Sequence, residues 1–120
     1  MKIAFTTSGD NLTAALDSRF GRASKFLIYD LEQNTHIVID NNQNRNAAQG
    51  AGIQSAETVA RFGVDALVTG HCGPKAFRTL KAAGIKIYNS SAGTISDALE
   101  MYRSGKLTEA NSADVDSHWT

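Results

Sequence analysis

The stretch Ala66-Leu67-Val68-Thr69-Gly70-His71-Cys72-Gly73-Pro74-Lys75-Ala76-Phe77, running on to Ile85-Lys86-Ile87-Tyr88, decides the architecture. Ala66–Thr69 is a short apolar run bounded by turn formers, the pattern of a buried strand. Pro74 falls where a first helical residue is favoured. Ala76, Phe77, Leu80 and Ala83 then recur at helical spacing, and Gly84 ends that helix. Ile85–Tyr88 returns to a strand pattern. A strand, a helix and a strand in this order make a crossover unit with two parallel strands.

Upstream, from about Gly50, the residues Ile53, Ala56, Val59 and Ala60 share one helical face, and Gly63 terminates it. Ala66–Thr69 is therefore itself reached through a helix. Downstream, Thr94 is placed to cap a last helix, with Asp97 three residues on as a weaker capping box. Ile95, Ala98, Leu99 and Tyr102 give that helix its apolar face, and Gly105 closes it. Toward the amino end, Ile3-Ala4-Phe5-Thr6, Phe26-Leu27-Ile28-Tyr29 and His36-Ile37-Val38-Ile39 read as three strands. The short link Glu32-Gln33-Asn34-Thr35 makes an antiparallel hairpin of the last two. The run from Asn41 to Asn46 has no apolar residue and reads as a loop. The expected fold is α/β, with a mixed five-stranded sheet (three antiparallel plus two parallel strands) and about three helices. Residues 1–108 form the domain. Residues 109–120, including Trp119, are expected to be a polar, mobile tail.

The totals agree with a single domain. The chain has 120 residues, one domain's worth. Twelve Lys and Arg balance twelve Asp and Glu, for a formal net charge of +0, which argues against a general nucleic-acid binder. A local basic patch remains compatible with that total. Cys72 is the one cysteine, so no intrachain disulfide forms, and a reducing compartment is expected. No stretch has the apolar length of a signal region or a membrane span, so the expectation is a soluble cytoplasmic protein.

In an open α/β sheet, ligands bind beyond the carboxyl ends of the parallel strands. Three loops are expected to meet there, following the first strand (Thr7 to about Ala23), the third (Asn41 to Gly50) and the fourth (Gly70 to Lys75). In the last, Gly70 and Gly73 let the backbone approach a ligand, and a helix starting at Gly73 or Pro74 presents free amides to an anion. Lys75 adds charge. The same residues also make an ordinary strand-to-helix turn, and the glycine spacing is not that of a nucleotide phosphate loop. His71 is the better ligand contact. Cys72 at a helix start can carry a lowered pKa, but cysteine is more often a small buried filler. Arg19-Phe20-Gly21-Arg22 offers two guanidinium groups around an aromatic residue, able to clasp an anion and cover it. Ser8 and Arg45 complete the candidate rim. No zinc-ligand spacing, nucleophile elbow or carboxylate cluster is present, so hydrolysis is the weakest reading.

These residues also carry a resemblance. Met1–Thr6, Ser18-Arg19-Phe20-Gly21-Arg22-Ala23 with Phe26, Gly63–Gly70, Gly73-Pro74-Lys75-Ala76, Gly84–Tyr88, Ala98-Leu99, and Tyr102 with Gly105-Lys106-Leu107 together resemble the dinitrogenase iron–molybdenum cofactor biosynthesis family. The resemblance spans roughly residues 1–108. It implies a ribonuclease-H-like fold without nuclease activity, and a non-catalytic carrier or scaffold for an anionic metal–sulfur cluster. Its small stand-alone members in anaerobic bacteria imply a molybdenum–copper sulfide cluster. The cofactor contacts it points to are Ser8, Arg19, Phe20, Gly21, Arg22, Arg45, Gly70, His71, Cys72, Gly73, Pro74 and Lys75. With one thiol in the chain, the cluster must bring its own sulfides. The implied partners are that inorganic cluster and proteins of a cluster-assembly or cell-division complex, with no nucleic acid or membrane. The alternative is a metal-free interaction or regulatory module of the same fold.

Overall fold

A computed structural model describes residues 1–45 and 50–113, with Arg45 described by its backbone alone. The strands are β1 (Lys2–Thr7), β2 (Lys25–Asp30), β3 (Thr35–Asp40), β4 (Ala66–Thr69) and β5 (Lys86–Asn89). The helices are α1 (Asn42–Arg45), α2 (Ala51–Arg61), α3 (Pro74–Ala82) and α4 (Ile95–Arg103). The sheet order is β3-β2-β1-β4-β5. β2 is antiparallel to both β1 and β3, whereas β4 is parallel to both β1 and β5. The mixed five-stranded α/β sheet expected from the sequence is the one observed.

Both faces of the sheet are covered, which is why the inner strands read as continuous apolar runs. On one face, Ala4, Phe26, Ile28, Leu67 and Ile87 pack with Ala56 and Val59 of α2 and with Ala76, Phe77 and Leu80 of α3. On the other, Ile3, Phe5, Leu27, Tyr29 and Val68 pack with Ile95, Ala98 and Leu99 of α4. Helix ends follow the sequence signals. Thr94 Oγ1 accepts the Asp97 N–H at 3.1 Å, Pro74 opens α3, and Gly63 follows α2 at φ 71°.

Two expectations are corrected. The asparagine-rich run is not all loop: Asn42–Arg45 form one helical turn, a fourth helix. Side-chain amides hold it rather than an apolar face. Asp40 Oδ1 accepts the Asn42 N–H at 2.8 Å, and the buried Asn41 Oδ1 accepts from Asn44 Nδ2 at 2.9 Å and from Ser55 Oγ at 3.2 Å. Asn41 Nδ2 donates to the Ala23 carbonyl at 2.8 Å. The folded domain also extends past residue 108. Glu109 bridges Tyr88, Ala110 N–H donates to the Ile87 carbonyl at 2.7 Å, and Ala110 and Ala113 pack on the core. The chain thereby covers the outer edge of β5, whose backbone groups need partners. Residues 114–120, with Trp119, lie outside the described residues. Among the described residues, no helix is long and apolar enough to cross a membrane.

Candidate functional site

After β1 the chain turns back across the carboxyl ends of β1 and β4. Asp17 N–H donates to the Thr6 carbonyl at 2.7 Å. The Thr6 hydroxyl lies 2.7 Å from the Asp17 carbonyl oxygen and 3.0 Å from Thr69 Oγ1. One hydroxyl proton serves the carbonyl, which only accepts, so Thr69 supplies the proton between the two hydroxyls. Thr7 Oγ1 donates to the Ala15 carbonyl at 2.8 Å. The segment is tied on to α4, where Ile95 N–H donates to the Ala14 carbonyl at 3.0 Å and Ser96 N–H to the Leu12 carbonyl at 2.8 Å.

The segment next meets the loop after β4. Arg19 and His71 form a parallel bridge, and Phe20 N–H donates to the His71 carbonyl at 3.1 Å. Gly70 permits this approach, because a Cβ there would lie 2.7 Å from both the Cα and the carbonyl oxygen of Ser18. The loop after β5 closes the third side. Asn89 Nδ2 donates to the Gly70 carbonyl at 3.0 Å, and Ser90 N–H donates to the Thr69 carbonyl at 2.9 Å.

These three loops enclose a cleft of about 540 Å³. Leu16, Asp17 and Ser18 line it from the first loop, Gly70 and His71 from the second, and Asn89, Ser90, Ser91 and Ala92 from the third. Among the described residues its walls combine backbone, the Ser hydroxyls, the Asn89 carboxamide, the His71 imidazole and the Asp17 carboxylate with the apolar Leu16 and Ala92. Asp17 Oδ1 accepts the Arg19 N–H at 3.0 Å. Ser90 Oγ accepts the Ala92 N–H at 3.1 Å and keeps its own proton to donate. Among the described residues, no three His, Cys, Asp or Glu side chains come together to ligate a metal ion.

Of the residues singled out in the sequence, the structure places Gly70 and His71 in the cleft wall, with Arg19 exposed next to Ser18 at its rim. It places others elsewhere. Phe20 is fully buried, its ring 5.5 Å from that of Phe26, so it belongs to the core rather than to a cover over a ligand. Gly21 packs on Gly52 of α2, where a Cβ would lie 2.9 Å from the Gly52 Cα. Cys72 is 1% exposed within the same core cluster as Phe20, with Sγ 3.7 Å from the Gly73 carbonyl oxygen. Gly73 and Pro74 begin α3, Lys75 is exposed on its first turn, and neither Ser8 nor Arg22 lines the cleft. The Arg45 side chain lies outside the described residues, and residues 41–44 are not part of the cleft wall. The sequence reading missed Asn89-Ser90-Ser91-Ala92. The signal was there: a strand parallel to β4 must end at the same edge of the sheet, and a small polar loop follows it.

A mixed α/β sheet with a loop-walled cleft at its parallel strand ends defines the class, and comparison with known proteins gives the family. Residues 1–105 match the family described as dinitrogenase iron-molybdenum cofactor, and the chain belongs to it. It is 33% identical over 111 residues to an uncharacterised protein of Methanocaldococcus jannaschii, covering 89% of each chain. The apo form of the orange protein from Desulfovibrio gigas superposes with a TM-score of 0.92 and 35% identity, covering 95% of this chain and 96% of that one. The NMR structure of a Thermotoga protein superposes at 0.80 with 34% identity, covering 90% and 91%.

Proposed function

We propose that the chain is a non-catalytic carrier that holds a small anionic metal–sulfur cluster, of molybdenum–copper sulfide type, in the cleft between its β1, β4 and β5 loops. The observation that carries this reading is the cleft's chemistry. It offers hydroxyl, amide and imidazole donors but no thiolate, because Cys72 is turned into the core. Such a wall suits cargo that already has its own sulfides and needs hydrogen bonds, charge compensation and shielding from water. Ser18, Ser90 and Ser91 donate to the cluster's sulfides, His71 adds a ring N–H, and Arg19 supplies positive charge at the rim. The 35% identity with the orange protein and the family membership support the choice of cargo. Protein partners of an assembly complex would collect the cluster from the open side of the cleft.

Among the described residues lining the cleft, Asp17 is the one carboxylate, and it works against an anion. The test is anaerobic reconstitution of the apoprotein with copper and tetrathiomolybdate, followed by desalting. Molybdenum, copper and visible absorbance should stay with the protein. His71→Ala and the double change Ser90→Ala/Ser91→Ala should lose most of that retention, while Cys72→Ala keeps it. Asp17→Asn should tighten binding by up to about tenfold, ~1.4 kcal/mol. Colourless, metal-free protein after desalting, or retention indifferent to the cleft substitutions, contradicts the reading and leaves a metal-free interaction module.

A further inference from the structure

The two edges of the sheet differ. Glu109 and Ala110 cover the outer edge of β5, whereas among the described residues nothing pairs with the outer edge of β3. β3 is Thr-His-Ile-Val-Ile-Asp, in unbroken register with β2 from Lys25↔Asp40 to Asp30↔Thr35. It lacks the proline, lysine or bulge that blunts a free edge. Beside it, Ile37 is 53% exposed and Phe62, just past α2, is 40% exposed. The two share a small groove with Ile28 and His36.

The hydrogen-bonding direction along β3 is fixed. Asn41 N–H donates to the Ser24 carbonyl on the β2 side, so Ile39, Ile37 and Thr35 also point their backbone groups at β2. His36, Val38 and Asp40 therefore present theirs outward. A second copy can add antiparallel about a two-fold axis only in registers that pair these outward residues with each other. With Val38 opposite the second copy's Val38, His36 falls opposite its Asp40 and Asp40 opposite its His36, giving about six backbone hydrogen bonds. Ile37 then lies beside the second copy's Ile39 on the face that carries Phe62. The neighbouring registers set His36 or Asp40 against Val38 instead, and lose the imidazole–carboxylate pairing.

We infer that β3 is a self-complementary interface at which two copies of the chain join into a continuous ten-stranded sheet centred on Val38. Asp40 Oδ1 is held by the Asn42 N–H, which leaves Oδ2 for the second copy's imidazole. The axis stands perpendicular to the sheet, so the two clefts open at opposite ends of the dimer and both stay accessible. The inference is thus independent of what the cleft holds. Strand pairing with this apolar flank lies at the small end of interface sizes, so the dimer is reversible.

Sedimentation velocity of the full chain across a wide concentration range tests it. The expected result is a monomer–dimer equilibrium that Ile37→Lys abolishes and His36→Asp weakens at least about tenfold. His36→Asp combined with Asp40→His, which exchanges the two partners, should restore it. Ile37 is exposed, so its replacement leaves the core intact, and circular dichroism confirms folding of each variant. A monomer at every concentration, or a dimer indifferent to Ile37→Lys, overturns the interface. Failure of the exchanged pair to restore association overturns the Val38-centred register.

Discussion

Gly70 does more for the cleft than any charged residue near it. It has no side chain to offer, but it lets the loop after β4 pass within contact distance of Ser18, and Asn89 holds its carbonyl in place. Gly70→Ala forces a Cβ to 2.7 Å from the Ser18 backbone, which cannot move freely because Thr6 and His71 hold the residues on either side of it. The expected cost is about 1–3 kcal/mol of stability, with the wall formed by residues 16–18 pushed outward. Denaturant unfolding measures this directly, and an unchanged midpoint would show that the close approach is not constrained. Arg19-Phe20-Gly21-Arg22 shows the limit of reading residues by type. The tetrapeptide looks like one anion clasp, yet the fold divides it: Arg19 is at the rim, Phe20 in the core and Gly21 against α2.

Elements whose stability comes from an apolar face were legible, and those held by polar bonds were not. The strands and the three long helices announced themselves through period and capping, because each buries a stripe of Ile, Leu, Val or Ala. The α1 turn and the Glu109–Ala110 edge cover are held by side-chain amides or by single backbone bonds, which leave no periodic trace. The β2–β3 turn is also held by polar bonds, but the short polar link between two strand patterns made it legible. Asp30 Oδ1 accepts the N–H groups of Glu32 at 2.9 Å and Gln33 at 3.2 Å, and Asn34 follows at φ 55°. The hydrogen bond from the Gln33 backbone is the main cause holding the Asp30 carboxyl below its ordinary 3.8. A carboxyl lowered in the folded state stabilises it above the unfolded pKa, and that contribution fades as pH falls through the folded value. Unfolding measured from neutral pH to about pH 2 should therefore show Asp30→Ala less stable at neutral pH and converging with the unsubstituted chain in acid. Parallel stability curves for the two would contradict the turn's role.

At the scale of the molecule, the sheet separates its functions by edge and end. The carboxyl ends of β1, β4 and β5 form the cleft, the β5 edge is covered by the chain itself, and among the described residues nothing pairs with the β3 edge. With a net charge of +0, the proposed recognition of an anion would have to be local, built from loop donors rather than from a field over the whole surface. The sheet edge that carries the cleft was legible because strand direction follows from the crossovers, but the membership of the cleft walls was not, because that depends on which loops fold inward. The most direct measurement is amide chemical-shift mapping of the isotope-labelled protein before and after loading with the copper–tetrathiomolybdate cluster. Shifts concentrated in residues 16–19, 70–73 and 89–92, with β3 and Phe62 unmoved, are the predicted result. Shifts centred on any other surface, or none at all with metal bound, would contradict the assignment of the cleft.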